Sequence, residues 1–355
     1  MPESEKTLME IIDLRSDTVT KPTQAMRDAM AKAEVGDDVF EEDPTINRLQ
    51  ELAARMVAKE AGLFVPSGTM GNLIAVLTHC GRGDEVIMGN LGHTFLFEAG
   101  GVAALGGVHT YTLPNQADGT LRLEDIKDAV RAGDNVHYPT SRLVVLENTQ
   151  NRCGGVPLTA AYTAAAASLA HSYGMLLHLD GARIFNAAAA LGCPAEDLTA
   201  PVDSVTFCLS KALCAPVGSV LCGTADFIRR ARRIRKQLGG GMRQAGVLAA
   251  AGIVALETMV APLAEDHRRA RLLAERLAAI PGVVLDTGLP PTNMIFISLD
   301  ERVRKDAAQV ADDLNKVGIK VGTVGARRFR LVTHHWITDD AVERVPQAFA
   351  RAVAA

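Results

Sequence analysis

A mostly parallel α/β sheet with helices on both faces, followed by a smaller α+β domain, is the fold class this 355-residue chain predicts. Short apolar runs alternate with helical stretches from Asp43 to about Val260. Apolar types make up 48% of the residues against 22% charged, a composition that can bury a large core. After Met259–Pro262 the alternation gives way to a long charged helix and shorter runs. Strands of about five residues between helices of about twelve mark a parallel sheet covered on both faces. The boundaries expected are 1–25 for an N-terminal segment, 26–260 for the large domain and 261–355 for the small one. The first segment is expected to pack with the small domain or a neighbouring subunit.

The elements follow in order. Asp43-Pro44 reads as an N-cap with a first-turn proline, and Ile46, Leu49, Ala53, Met56 and Val57 then recur at helical spacing. Gly62 is placed to end that helix as its C′ residue. Strands are expected at Leu63–Pro66, Glu85–Met88, Leu143–Leu146, Met175–Leu179, Val205–Leu209 and Ser219–Cys222. Helices are expected at Met70–Cys80, Leu158–Tyr173 and Ala225–Leu238. Beyond the break, a helix at Glu265–Ala279 leads through Pro281-Gly282 to the runs Val283–Leu285 and Met294–Leu299. A helix at Lys305–Lys316 and a run at Phe329–Thr333 complete the pattern.

Charge and motifs narrow the function. Lys and Arg total 37 against 41 Asp and Glu, a net charge of −4, which gives no electrostatic footprint for nucleic acid. Basic residues fill six of the eight positions from Arg229 to Lys236, and a solvated or ion-paired helix explains them better than a nucleic-acid patch. Apolar stretches such as Val247–Leu256 are too short to span a membrane, and the opening MPESEKTLME lacks the apolar region of a secretory signal. Six cysteines with no C-x-x-C pair point to free thiols in a reducing cytoplasm and to no structural metal. No G-x-G-x-x-G, Walker A, H-E-x-x-H or G-x-S-x-G motif is present.

Three short elements suit the parts of one cofactor. Ser67-Gly68-Thr69-Met70-Gly71-Asn72 follows an expected strand and opens an expected helix, where free N–H groups and hydroxyls form an anion cradle. A capped glycine turn is the plainer use of the same hexapeptide. Asp180, in His178-Leu179-Asp180-Gly181-Ala182-Arg183, falls at the carboxyl end of a strand, where α/β sheets collect ligands. Its carboxylate suits a cationic ring nitrogen, an arginine or an N-cap. Lys211 follows another strand within Thr206-Phe207-Cys208-Leu209 and Ala212-Leu213-Cys214-Ala215-Pro216. Desolvation there disfavours the ammonium form, as an imine-forming lysine needs. A paired core lysine is the structural alternative. Together the three fit pyridoxal 5'-phosphate, with phosphate on the helix start, Asp180 on the pyridine nitrogen and Lys211 on the aldehyde.

At these residues the chain resembles the L-threonine aldolase family of pyridoxal-phosphate enzymes. The resemblance runs from Asp13 to about Trp336. It is carried by Asp13–Thr20, Gly36-Asp37-Asp38-Val39, Asp43-Pro44-Thr45, Pro66–Asn72, Leu146-Glu147-Asn148-Thr149, Asp180–Phe185, Ser210-Lys211, Gly239–Gly246 and Arg330–His334. It implies the fold-type I architecture with a seven-stranded-type large sheet, and an aldehyde-lyase that splits β-hydroxy-α-amino acids into glycine and an aldehyde. It implies Lys211 as the Schiff-base lysine, Asp180 as the partner of the ring nitrogen and His93 as the residue stacked on the ring. Gly68 and Thr69 match the phosphate site, and Ala182 lies beside them in the cofactor set. Ser16, Arg183 and Arg330 match the groups that hold the substrate carboxylate, a task suited to arginine's planar fork. Arg243 matches a residue that reaches the phosphate across a dimer interface, and the family implies a homotetramer.

Two positions depart from the family pattern. Gln150 stands where family members carry a histidine near the substrate hydroxyl. An amide can hydrogen-bond a hydroxyl or aldehyde but cannot act as a general base near neutral pH. Its place is expected in the substrate site, with His93 or a water as base. Phe40 stands where a tyrosine is frequent. Both changes make the pocket less polar, and tolerance of aromatic β-substituents such as phenylserine is expected. A β-eliminating lyase, a racemase or a transaldolase would share the same cofactor residues, and a silent homologue would keep them without turnover.

Overall fold

The structure, a computed structural model, describes residues 11–131, 133 and 135–354. The chain divides into a larger unit, Thr20–Ala264, and a smaller one joining the described part of Met1–Val19 to Glu265–Ala355. Residues 1–10 of the expected N-terminal segment lie outside the described residues. The next stretch enters the smaller unit as strand β1 (Ile12–Asp13), with Leu14 fully buried in that unit's core.

The larger unit is built on one seven-stranded sheet. Its strands are β2 (Ala61–Val65), β3 (Asp84–Gly89), β4 (His109–Leu113), β5 (Thr140–Glu147), β6 (Leu176–Asp180), β7 (Ser204–Cys208) and β8 (Ser219–Gly223). They lie in the order β2-β8-β7-β6-β5-β3-β4, and only β8 runs against its neighbours. The inner strands β7 and β8 are buried throughout, which is why they read as apolar runs in the sequence. Strand β4, His-Thr-Tyr-Thr-Leu, was not expected. It is the half-exposed edge of the sheet and carries no apolar run to betray it.

Helices pack on the sheet through Phe64, Phe207, Ile87 and a broad aliphatic cluster. Burying each such side chain contributes about 1.5–3 kcal/mol. Helix Pro44–Met56 starts as expected, with the Asp43 carboxylate accepting from the Thr45 and Ile46 N–H groups. Its end is a correction. The helix stops at Met56, where Ala58 takes a left-handed conformation (φ 48°) and the Lys59 N–H closes onto the Ala54 carbonyl. Gly62 lies inside β2 instead, where a Cβ would come within 2.7 Å of the Gln50 carbonyl oxygen. Its missing side chain lets helix and strand approach; it caps nothing.

The basic run lies on helix Ala225–Gln237 as a paired face. Arg229 and Arg230 bind Asp226, Arg232 meets Asp38 and Glu41, and the buried Arg235 pairs with Asp38.

In the smaller unit, β9 (Val283–Leu285), β10 (Met294–Leu299), β12 (Gly322–Gly325) and β13 (Arg328–Val332) form an antiparallel sheet in the order β12-β13-β10-β9. β1 pairs in parallel with β11 (Ile319–Lys320). Helices Leu263–Ala278, Ala307–Lys316 and Asp339–Ala354 accompany these strands, and Phe329, Phe349 and Leu331 are buried at the unit's centre.

Candidate active site

Parallel strands deliver side chains to one end of the sheet, and the larger unit collects its polar residues there. A cavity of ≈ 160 Å³ is lined by Gly68, Thr69, His93, Asp180, Ala182 and Lys211, with Asn72, Glu98 and Cys208 among its other walls.

At one end, helix Gly68–His79 begins with Ser67 as N-cap, its hydroxyl accepting from the Met70 N–H at 3.2 Å. Ser67 takes the Met70 and Gly71 N–H groups, which leaves those of Gly68 and Thr69 at the helix start for an anion. A Cβ on Gly68 would lie 3.0 Å from Cys208 Sγ and 3.6 Å from Ser219 Oγ, a buried hydroxyl with no hydrogen-bond partner among the described residues. The bare glycine keeps this cradle open.

Asp180 ends β6 and is 2% exposed. Its Oδ1 accepts from the Ala182 N–H at 3.1 Å and its Oδ2 from Asn72 Nδ2 at 2.9 Å. Lys211 lies in the turn after β7, half-buried, its carbonyl accepting from the Thr20 hydroxyl. Ala212, Leu213, Cys214 and Ala215 behind it are buried.

His93 opens a short helix at the cavity wall. Its Nδ1 is 2.9 Å from Glu98 Oε1, and its backbone N–H donates to Glu147 Oε2 at 2.6 Å. The Glu98 hydrogen bond holds the His93 imidazole above its ordinary pKa. Burial pushes the Glu98 carboxyl up as well. Glu147 is raised to about 7, first by burial and then by the neighbouring Asp180 charge.

The remaining expected residues fall outside this wall. Arg183 adjoins it, buried beside Lys211 and Asn186. Arg243 is exposed on the same unit and bound to Asp37 at 2.8 Å. Gln150 is fully buried, its Nε2 donating to the Leu91 carbonyl of the loop after β3 and its Oε1 accepting from the Cys153 N–H. Ser16 and Arg330 belong to the smaller unit, where Arg330 lies on β13.

Sequence reading gave no part to Asn72 and Glu98, which line the cavity, or to His178, which is bonded to Asn72 behind it. Strand alternation was a usable signal for His178, which shares a face with Asp180 two residues on. For Glu98 the signal was a carboxylate directly after Phe95-Leu96-Phe97, five residues beyond His93, since a buried charge needs a partner.

This sheet, with a lysine, a carboxylate, a histidine and an open helix start around one cavity, defines an enzyme of the aspartate-aminotransferase-like fold. The family model described as beta-eliminating lyase matches residues 13–301. A probable low-specificity L-threonine aldolase 2 of Arabidopsis thaliana is 49% identical, over 97% of this chain and 98% of that protein. The low specificity L-threonine aldolase of Escherichia coli (strain K12) is 45% identical, over 91% and 94%. A solved structure of Leishmania major threonine aldolase shares the fold with a TM-score of 0.82 at 23% identity, over 96% of this chain and 99% of that one. The chain belongs to the beta-eliminating lyase family, among its L-threonine aldolases.

Proposed function

We propose that this chain is a pyridoxal-phosphate-dependent aldehyde-lyase that cleaves L-threonine, L-allo-threonine and related β-hydroxy-α-amino acids, phenylserine among them, into glycine and an aldehyde. The observation that carries the reading is the convergence of Lys211, Asp180, His93 and the start of helix Gly68–His79 on one cavity. When bound, pyridoxal phosphate supplies an aldehyde that reacts with amines and a cationic ring that takes up the electron pair left at Cα.

The chain's own residues do the rest. The Gly68 and Thr69 end of the helix would hold the phosphate, and the Lys211 amine would hold the aldehyde between turnovers. Asp180, fixed by Ala182 and Asn72, would keep the ring nitrogen protonated. Ser16, Arg183 and Arg330 are assigned to the substrate carboxylate. Holding that group orients the Cα–Cβ bond for cleavage. His93, with Nδ1 tied to Glu98, has Nε2 left to take the proton of the β-hydroxyl. Gln150 is assigned a hydrogen-bonding part near the substrate, although in this chain its amide donates to the Leu91 carbonyl and accepts from the Cys153 N–H.

The six free thiols support a place in the cytoplasm. Exposed Phe40 and Phe95–Phe97 support assembly with further copies of this chain, and the resemblance adds the homotetramer and a reach of Arg243 to a neighbouring active site. The partners assigned are the amino-acid substrate and copies of this chain. Among the described residues no single helix is long and apolar enough to cross a membrane.

A substrate panel with product identification on the purified holoenzyme tests the function. Glycine with acetaldehyde or benzaldehyde supports aldol cleavage; pyruvate with ammonia replaces it with β-elimination.

A further inference from the structure

A line of buried polar side chains runs from Asp180 into the sheet and away from the cavity. Asn72 is 2% exposed, and its Nδ2 lies 2.9 Å from Asp180 Oδ2 and 2.9 Å from Glu98 Oε1. Its Oδ1 is 3.2 Å from His178 Nε2. His178 Nδ1 is 2.8 Å from Ser204 Oγ, the neighbouring residue on β7, and Ser204 Oγ is 2.8 Å from His79 Nε2. His178 and Ser204 are fully buried.

The directions of these bonds follow from the chemistry of the groups. Ionised carboxylates only accept, so the amide turns both of its N–H bonds towards Asp180 and Glu98. Its oxygen then faces His178, which must donate from Nε2. Burial keeps His178 and His79 neutral, both held well below the ordinary imidazole value. A neutral His178 that donates at Nε2 accepts at Nδ1, so the Ser204 hydroxyl donates there and itself accepts from His79 Nε2–H. Every donor in the line points towards Asp180. At its end two carboxylates share one amide, and the atoms of His93, Glu98 and Asp180 lie within 4.8 Å of one another.

We propose that Asn72 is a positioning residue of this site, locked by His178 in its Nε2–H tautomer, which holds the Asp180 carboxylate in register with the Glu98–His93 pair. It rests on the reading of the cavity as a pyridoxal-phosphate site. Asn72 acts through its two carboxylate partners. Its two N–H bonds bridge the two carboxylates and offset the repulsion that would otherwise turn Asp180 away from the ring nitrogen.

The experiment uses wild-type protein, Asn72→Leu, the isosteric Asn72→Asp, and His178→Gln, which keeps a donor towards Asn72. Each apoprotein is titrated with pyridoxal phosphate by absorbance, and histidine-labelled apoprotein gives the His178 tautomer by nitrogen NMR. Expected are cofactor affinities weaker by at least about tenfold in both Asn72 variants, as the loss of an orienting partner commonly costs. kcat should fall while KM stays within about threefold. His178→Gln should stay within about threefold of wild type, and the Nε2–H tautomer should be seen in wild type but lose its dominance in Asn72→Leu. Should Asn72→Leu not fold, Asn72→Asp gives the same affinity reading. Wild-type affinity in a folded Asn72 variant, or the Nδ1–H tautomer in wild type, overturns the proposal alone. A wild-type protein that takes up no pyridoxal phosphate overturns the cofactor reading as well.

Discussion

Glu147 and Asp180 are register partners at the carboxyl ends of the adjacent parallel strands β5 and β6. One carboxylate serves the cavity, while the other anchors the backbone N–H groups of His93 and Asn151. Burial, and then the nearby Asp180 charge, raise the Glu147 carboxyl from its ordinary 4.5 to about 7.

A raised acid favours the folded state while it is protonated. The Glu147 contribution is therefore complete below pH 4.5 and lost as pH rises through about 7. Thermal melts of wild-type and Glu147→Gln apoprotein across this window should show the wild type losing ground as pH rises. Parallel curves contradict the shift.

The buried histidines act with the opposite sign. Burial lowers His79 from 6.5 to about 4 and His178 to about 3, so their contribution is present above 6.5 and lost as pH falls through those values. His178→Gln should flatten the acid side of the melting-temperature profile. An unchanged acid limb counts against a neutral, buried His178.

Asp180→Asn keeps the shape of the side chain and removes the charge that retains the ring proton. kcat for aldol cleavage should fall by about 10²–10⁴-fold, the usual span for a lost acid–base partner. Steady-state kinetics at saturating cofactor check this; a loss below about threefold removes Asp180 from its role.

If Gln150 and Phe40 replace a histidine and a tyrosine near the substrate, as the resemblance implies, larger apolar β-substituents should be favoured. kcat/KM for phenylserine should exceed that for threonine by about tenfold, the scale of one added apolar contact. A strong preference for threonine speaks against a pocket of reduced polarity.

Much of the larger unit was legible because its strands are buried on both faces and its helices carry ordinary caps. Asp43 and Ser67 cap helices beside the expected starts. The edge strand β4 escaped because its threonines and tyrosine face partly outward. Gly62 misled because close backbone approach and helix termination favour the same residue. At the site, Lys211 and Asp180 announced themselves by their position after apolar strands. Asn72, Glu98 and His178 did not, because their pairing links residues far apart in sequence and only the folded sheet brings them together.

The most direct test compares acetaldehyde release from L-threonine by wild type and by Lys211→Ala, each supplied with pyridoxal phosphate. With Lys211 as the amine that holds the cofactor, the variant should lose turnover while keeping weak, non-covalent cofactor binding. Aldehyde release at the wild-type rate would contradict the assignment.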